Sequence, residues 1–274
     1  GAINAYIDEL PQRVRNAHGD MAQAAINAGL IDGVKTIDET KDYIEGRLGK
    51  GKKIEANFLP YLHYGSGLNN VAQPDSIAVI VAEGEIQTGP SDIGIIGSKT
   101  ITDQIQSAID DSNIKAIVLR VNSPGGSAVA SELIRGALEL AKKKNKPVVV
   151  SMGNIAASGG YWISMGASRV IADPATVTGS IGVFGLAPTF EKSLELAKIG
   201  QGGVGTTWLA NAGKPTQPLD SRLADILTQN VERTYNNFLG VVSKARGLSI
   251  NTVHQVAQGR VWTGSQAYKH GLVD

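Results

Sequence analysis

The sequence predicts an α/β fold that is built on a parallel β-sheet and preceded by a mostly helical segment. From Ser76 onward, short apolar runs alternate with stretches in which apolar residues recur every three or four positions. Strands that alternate with helices in this way pair in parallel. Three loops rich in glycine and serine follow predicted strands, and sites in parallel sheets form at such carboxyl ends.

The first part of the chain, residues 1–75, lacks this alternation. Apolar residues recur at helical spacings through residues 1–35, and a polar helix is expected over residues 38–48. Residues 49–75 have the composition of a linker with an aromatic patch. We therefore divide the chain into a helical segment with its linker, residues 1–75, and an α/β domain, residues 76–274.

Within the α/β domain, each predicted strand is a short apolar run and each predicted helix has one apolar face. The strands are expected at residues 77–81, 116–121, 147–151, 169–172 and 260–262. The helices are expected at residues 101–109, 127–144, 158–167, 220–245, 252–258 and in a last segment up to residue 270. A loop over residues 84–94 separates the first strand from the first helix.

One short sequence occurs twice. Residues 25–32, AINAGLID, resemble residues 267–274, AYKHGLVD, and we call this pair the sequence echo. Its two members lie near the two ends of the chain, as expected if two tandem copies of one domain were cut in mid-array. The first residues, GAINAY, lack an initiator methionine, and the last, GLVD, stop abruptly. We therefore expect an excised piece of a longer protein.

Composition argues against several kinds of site. The chain has no cysteine, which excludes disulfides, thiolate metal sites and a cysteine nucleophile. A formal charge of +1 without a basic face gives no support for a nucleic-acid partner. The carboxylates and histidines are too scattered for a metal site. No run approaches the roughly 20 apolar residues of a membrane span, and no signal peptide opens the chain.

The most informative stretch is Pro147–Gly160, in which an apolar strand runs into small residues and Ser158. Small neighbours let a substrate backbone approach, and a serine that begins a helix has free backbone N–H groups beside it. We interpret Ser158 as the nucleophile of an acyl-transfer site. The alternative is that Ser158 only caps the helix that follows.

In a second loop, Asn122–Ser127, two glycines follow a proline directly. Because glycine has no Cβ, the N–H of Gly126 can turn toward a neighbouring loop. Together with the N–H of Gly159, it would form an oxyanion hole with two donors. The alternative is a tight turn between a strand and a helix.

The general base is less evident. All the histidines lie outside the glycine-rich loops: His18, His63, His254 and His270. A lysine whose pKa is lowered by desolvation can serve as the base instead. Lys214 is the lysine after Ser158 that lies in a plausible active-site loop, and the alternative is that it is an exposed loop lysine.

Five segments are distinctive when they are taken together. They are Asn122–Ser127, Val150–Ser164, Val177–Gly182, Val261–Gly264 and Gly271–Asp274. These segments closely resemble the signal peptide peptidase A family, also called protease IV, and the resemblance implies a ClpP/crotonase-like fold. Residues from about 76 onward resemble the C-terminal catalytic half of the long, duplicated bacterial form. Residues 1–75 resemble the tail of its N-terminal half.

The resemblance also implies roles for single residues. Ser158 matches the family's nucleophile, and Gly126 and Gly159 match the oxyanion positions. Ser180 matches the serine that hydrogen-bonds the catalytic lysine. The implied activity is a Ser/Lys-dyad endopeptidase without a cofactor, which degrades residual signal peptides at the bacterial inner membrane from the periplasmic side. The implied partners are hydrophobic peptides, the membrane through a segment absent from this chain, and further copies in a homo-oligomer.

The resemblance leaves the source of the lysine to be decided. In the long form it comes from the N-terminal half, whereas in the half-length form it lies downstream of the serine, near the position of Lys214. Because residues 1–75 resemble the long form, we expect the base to lie in a missing upstream half. The chain alone is then expected to be weakly active or inactive.

Two other interpretations of the chain stay open. A crotonase-like acyl-CoA enzyme shares the sheet and the glycine oxyanion hole but needs no serine nucleophile. A non-catalytic assembly domain would use Ser158 as a helix cap. The apolar residues Tyr161–Ile163, Val183 and Phe184 suit the hydrophobic core of a signal peptide and suit an ordinary protein interior equally well.

Overall fold

Strands and helices alternate along the α/β domain. The computed structural model of the chain describes residues 2–36, 39, 40, 43, 46 and 75–274. Its strands are β1 (Ser76–Glu83), β2 (Glu85–Gln87), β3 (Ile95–Gly97), β4 (Ile114–Ser123), β5 (Val148–Ala157), β6 (Arg169–Ile171), β7 (Val177–Gly179) and β8 (Val261–Thr263). The predicted helix at 38–48 and the linker lie largely outside the described residues.

The helices fall into an N-terminal group and those of the α/β domain. The N-terminal group is α1 (Ala2–Asp8), α2 (Leu10–Asn16) and α3 (Met21–Asn27). The α/β domain contains α4 (Ser98–Asp110), α5 (Ala128–Lys143), α6 (Gly159–Ser164), α7 (Glu191–Leu196), α8 (Leu209–Ala212), α9 (Ser221–Arg246), α10 (Ile250–Val256) and α11 (Gly264–Lys269). The short helices α7 and α8 were not predicted from the sequence.

Six strands form one sheet in the order β1-β4-β5-β7-β8, and β6 also pairs with β5. β1 through β7 of this sheet pair in parallel, and β8 pairs antiparallel with β7. Helices between successive strands provide the crossovers that parallel pairing requires. The predicted α/β fold with a parallel sheet is therefore confirmed, with an antiparallel strand at one edge.

The main core contains the buried residues of β4 and α5. Successive side chains of a strand point to opposite faces, so Ile117, Leu119 and Val121 of β4 share one face. All three are fully buried. Ile134 and Leu138 of α5 lie four residues apart on one helix face and belong to the same cluster of buried residues. This packing fixes α5 against the sheet and so positions the loop that precedes it.

The long helix α9 joins the N-terminal helices to the α/β domain. Its second half places Phe238 and Val242 in the main core. Its first half belongs to a separate cluster of buried residues: Leu10, Val14, Ala17, Ala24 and Ile226. A salt bridge of 2.6 Å between Arg15 and Asp225 lies beside this cluster. The N-terminal helices and the main core thus pack on the same helix.

Three differences from the predicted elements bear on the candidate site. α6 has only six residues, whereas a helix was predicted over residues 158–167, and β5 continues to Ala157 instead of ending at residue 151. The predicted loop 84–94 contains β2, which pairs in parallel with β3. A strand of three residues is too short to show alternation, which explains why the sequence pattern missed it.

The two members of the sequence echo have similar local structure. α3 and α11 are each followed by a glycine with positive φ, 69° at Gly29 and 72° at Gly271. In the second member, the Asp274 carboxylate accepts hydrogen bonds from the Val170 N–H at 2.8 Å and from Arg246 at 2.9 Å. Burial alone would raise the pKa of Asp274, but these hydrogen bonds outweigh burial and lower the pKa to about 2.

Asp274→Asn is expected to lower the free energy of unfolding by about 1–2 kcal/mol at neutral pH, because the carboxylate is stabilised in the folded state. The folded pKa lies below the ordinary value of 3.8. The stabilisation is therefore fully present above about pH 4 and is lost as the pH falls toward about 2. Urea unfolding at several pH values measures the difference between the two proteins.

Asp103→Asn is the matched control, since the Asp103 carboxylate pairs with Lys99 at the surface and is 61% exposed. Such pairs contribute little to stability, so this variant should unfold like the wild type at every pH. An Asp274→Asn deficit that stays constant down to about pH 2 would contradict the assignment of the stabilisation to the ionised carboxylate.

Candidate active site

Ser158 lies between β5 and α6 in a backbone conformation that L-residues rarely adopt. Its φ is 52° and its ψ is −119°. Such a conformation costs about 1–3 kcal/mol and persists only where the surroundings impose it. The Ser158 N–H donates to the Gly179 carbonyl at 2.9 Å, and the Ser158 carbonyl accepts from the Trp162 N–H at 2.8 Å. β7 and α6 therefore hold this strained residue from two sides.

The hydroxyl of Ser158 is not used as a helix cap. The residue occupies the N-cap position of α6, but its side chain makes no capping hydrogen bond. The geometry therefore does not support the alternative in which Ser158 only caps the helix. A strained serine at a strand-to-helix turn presents its hydroxyl at the end of the strand, as in the nucleophile elbow of α/β hydrolases.

Gly126 lies in the turn between β4 and α5, and β2 fixes this turn. The Ile86 N–H donates to the Gly125 carbonyl, and the Ile86 carbonyl accepts from the Ser127 N–H, both at 2.8 Å. In such a parallel bridge, the N–H of the middle residue points away from the partner strand. The φ of Gly126 is 143°, and a Cβ there would overlap the Ile86 carbonyl, so only glycine fits.

The Gly126 N–H lies close to Gly159, the first residue of α6. The Gly126 nitrogen is 3.2 Å from the point where a Cβ on Gly159 would stand, and the Ser131 Oγ is 2.6 Å from that point. In the part of the chain that the structure describes, neither the Gly126 N–H nor the Gly159 N–H donates a hydrogen bond. Two unpaired backbone donors thus lie beside Ser158, as an oxyanion hole requires.

A change of register between β4 and β5 brings these loops together. The pairing shifts between Val121 and Ser123, because β5 carries extra residues at this point. Bulges of this kind bend a strand and often lie next to active sites. The buried hydroxyls of Thr176 and Thr178 donate to carbonyls of β5 at 2.8 and 2.7 Å. They satisfy backbone groups that irregular pairing would leave free.

Ser180 follows β7 directly and also has a positive φ, of 49°. Its N–H donates to the Arg260 carbonyl at 2.8 Å. The preceding residue, Gly179, accepts the N–H of Ser158, so Ser180 is one residue from the contact that holds the candidate nucleophile. The structure thus brings Ser158, Gly126, Gly159 and Ser180 to one end of the sheet, and their catalytic roles stay predictions.

Lys214 is placed differently. Its Nζ is 3.3 Å from the point where a Cβ on Gly203 would stand. Its N–H donates to the Asn211 carbonyl at 3.1 Å, and its carbonyl accepts from Gln217 at 3.2 Å. None of these neighbours belongs to the loops around Ser158, so this arrangement gives no support to Lys214 as the base. No group of His, Asp and Glu side chains in the described residues is placed to hold a metal ion.

Sequence reasoning missed two residues that shape the site. Ile86 holds the Gly126 turn through its backbone, and no side-chain pattern signals such a contact. Ser131 packs over Gly159, and its hydroxyl donates to the Ser127 carbonyl at 2.9 Å. Two features of the sequence could have identified Ser131. It is a small residue one helical turn after Ser127, and the glycine that begins α6 indicates that another element packs closely against it.

A parallel α/β domain that holds a strained serine beside two free backbone donors has the arrangement that serine hydrolases use. Comparisons with known proteins narrow this class. Residues 140–274 match peptidase family S49. Protease 4 of Haemophilus influenzae is 44% identical over 260 residues, which cover 93% of this chain and 42% of that protein.

Two relatives of lower sequence identity are also named as proteases. The chloroplastic serine protease SPPA of Arabidopsis thaliana is 33% identical over 261 residues, covering 90% of this chain and 38% of that protein. The putative protease slr0021 of Synechocystis sp. is 32% identical over 205 residues, covering 72% of this chain and 68% of that protein. The chain belongs to peptidase family S49. It spans about two fifths of the length of the Haemophilus and Arabidopsis relatives.

Gly126→Ala is expected to lower the free energy of unfolding by about 2–4 kcal/mol, because the methyl group meets the Ile86 carbonyl at an unfavourable φ. Gly136→Ala in α5 is the matched control, since nothing lies within 4 Å of a Cβ there. It should stabilise the protein by about 0.5–1 kcal/mol. Urea unfolding measures both changes, and equal effects of the two variants would contradict the described turn.

The free energy of unfolding of Ser158→Gly is expected to be about 1–2 kcal/mol higher than that of Ser158→Ala, because glycine adopts positive φ without strain. At an ordinary helical position the order is reversed, and Ser164→Gly and Ser164→Ala in α6 provide that comparison. The same stability order at both positions would show that Ser158 is not strained.

Proposed function

We propose that this chain carries the nucleophile and oxyanion hole of a serine endopeptidase with a Ser/Lys mechanism, which degrades residual signal peptides. The observation that carries the proposal is the strained Ser158 beside the free N–H groups of Gly126 and Gly159. Membership of peptidase family S49 supports peptide bonds as the target.

The reaction begins when the Ser158 Oγ attacks the carbonyl carbon of the peptide bond and a neutral lysine amine takes the Ser158 proton. The carbonyl oxygen becomes negatively charged, and the N–H groups of Gly126 and Gly159 stabilise it. The C–N bond then breaks, and the lysine returns the proton to the leaving amine. Water, deprotonated by the same lysine, releases the acyl group and restores Ser158.

The general base in this proposal is a lysine in an upstream half of the protein, outside this chain. The neighbours of Lys214 are Gly203, Asn211 and Gln217. None of them belongs to the Ser158 loops, and this supports an external base. Ser180 would orient that lysine through its hydroxyl, which has no hydrogen-bond partner within the described residues. Closure of the site around the amine would desolvate it and lower its pKa enough for it to act as a base.

The substrates in this proposal are hydrophobic peptides. Tyr161–Ile163 face the protein interior, where their exposed fractions are 0%, 5% and 0%, so they are not available to bind a peptide. Phe184 lies four residues beyond Ser180 and is 84% exposed. Large exposed apolar side chains near a site favour apolar ligands. Phe184 therefore supports a hydrophobic substrate.

By the same proposal, the protein acts at the bacterial inner membrane, with this domain on the periplasmic side. The resemblance to the signal peptide peptidase A family supports this location, and the attachment would come from a segment outside this chain. Among the helices that the structure describes, none combines the length and the apolar character needed to cross a membrane. Assembly into a homo-oligomer is part of the proposal.

Labelling with a fluorophosphonate, followed by intact mass and peptide mapping, tests the proposal. We expect this chain alone to label weakly, and the same chain supplied with the upstream half to label rapidly at Ser158. Ser158→Ala should not label, because the nucleophile is absent. Lys214→Ala should label like the wild type, and so should Lys192→Ala, which replaces an exposed lysine of α7 as a matched control.

Four results would overturn the proposal or parts of it. Labelling of Ser158→Ala at the wild-type rate would remove Ser158 as the nucleophile. Loss of labelling in Lys214→Ala alone would place the base in this chain. Full acyl-CoA turnover by Ser158→Ala would favour the crotonase-like alternative, and no labelling with either preparation would favour the non-catalytic assembly domain.

A further inference from the structure

We propose that Glu132 is a positioning residue, which acts through Trp162 to hold the two oxyanion donors at a fixed separation. This inference depends on the proposed function, since it assigns a role at the same site. The observation behind it is a hydrogen bond of 2.8 Å from the Trp162 Nε1–H to the Glu132 Oε2, which joins the helices α5 and α6.

One donor lies just before the start of α5, and the other lies at the start of α6. Gly126 lies two residues before the start of α5, and Gly159 is the first residue of α6. The distance between the two N–H groups therefore depends on how α6 sits against α5. Packing of Ser131 over Gly159 limits how closely the helices approach, but packing alone does not stop one helix from sliding along the other. The hydrogen bond from Trp162 to Glu132 opposes that sliding.

α6 needs such a contact because it is short. It has six residues, and isolated helices of this length are not stable by themselves. Trp162 connects the helix to its surroundings in three directions. Its N–H donates to the Ser158 carbonyl at 2.8 Å, and its ring lies 4.4 Å from the Phe238 ring of α9. Its indole N–H reaches Glu132, so a shift of the whole residue, including its backbone N–H, would move Ser158.

Glu132 is itself held in place. Arg135, one turn further along α5, donates to both of its carboxylate oxygens, at 2.7 and 2.6 Å. Two parallel hydrogen bonds of this kind fix the orientation of a carboxylate. Burial alone would raise the pKa of Glu132, but the hydrogen bonds from Arg135 and Trp162 outweigh burial and lower it. The carboxylate is therefore ionised and oriented toward Trp162 at neutral pH.

The side chain of Glu132 is 47% exposed, at the edge of a groove of about 810 Å³ between α5 and α9. A substitution at this position removes the acceptor without opening a cavity in the core, so variants are expected to fold. Glu139 provides a matched control, since it pairs with the same Arg135 at 2.6 Å and lines the same groove. It makes no hydrogen bond with Trp162.

The test measures steady-state hydrolysis of an apolar peptide ester by the protein supplied with its upstream half. Glu132→Ala is expected to lower kcat about tenfold with KM changed less than about twofold, because misplaced donors weaken transition-state stabilisation. Trp162→Phe should give a similar loss, and the double variant should be no worse than either single variant by more than about twofold. Glu132→Gln keeps an acceptor oxygen and should recover most of the activity, and Glu139→Ala should match the wild type.

A second readout separates positioning from general stability. In NMR spectra, the indole N–H resonance of Trp162, assigned by its loss in Trp162→Phe, should move in Glu132→Ala and keep its position in Glu139→Ala. Equal kcat values for Glu132→Ala and Glu139→Ala, or additive losses in the double variant, would overturn the positioning role alone. Turnover by Ser158→Ala at the wild-type rate would instead overturn the proposed function, and the positioning role with it.

Discussion

The backbone conformation of Ser158 is the constraint on which the rest of the site depends. A φ of 52° at a residue with a side chain is unfavourable, and the fold imposes it through backbone contacts with β7 and α6. Because the chain turns sharply at this residue, the hydroxyl is directed out of the strand while the next N–H stays at the start of the helix. The neighbouring glycine turn then needs only to supply the second donor. The conformation of this one residue thus determines how the two loops of the site are arranged.

Backbone groups rather than polar side chains build most of this site. Ile86 fixes the Gly126 turn through its own N–H and carbonyl, and the hydroxyls of Thr176 and Thr178 satisfy the irregular part of β5. Such a framework is fixed before a substrate arrives, which is what makes backbone donors effective in stabilising a developing oxyanion. The side chains of Glu132 and Trp162 connect the two helices whose N-terminal ends lie at the donors. A base supplied from elsewhere would complete this framework without changing it.

The sheet and its loops could be predicted from the sequence because they follow from repeated patterns. Apolar runs between helical periods predicted β1, β4, β5 and β6, and small residues after two of these strands predicted the loops that contain Ser158 and Gly126. The three residues of β7 were not predicted as a strand. Single contacts could not be predicted in this way. The pairing of Ile86 involves only three residues of strand, and the short length of α6 depends on packing with α5 and α9. The neighbours of Lys214 depend on tertiary contacts that no local pattern encodes.

The central claim is that the N–H groups of Gly126 and Gly159 receive the oxyanion formed when Ser158 reacts. A crystal structure of the phosphonylated protein, prepared together with the part that supplies the base, tests this claim most directly. We expect phosphorus bonded to the Ser158 Oγ, with one phosphonyl oxygen about 2.7–3.1 Å from both glycine nitrogens. A phosphonyl oxygen directed to solvent or to side-chain donors, with both N–H groups still unpaired, would contradict it.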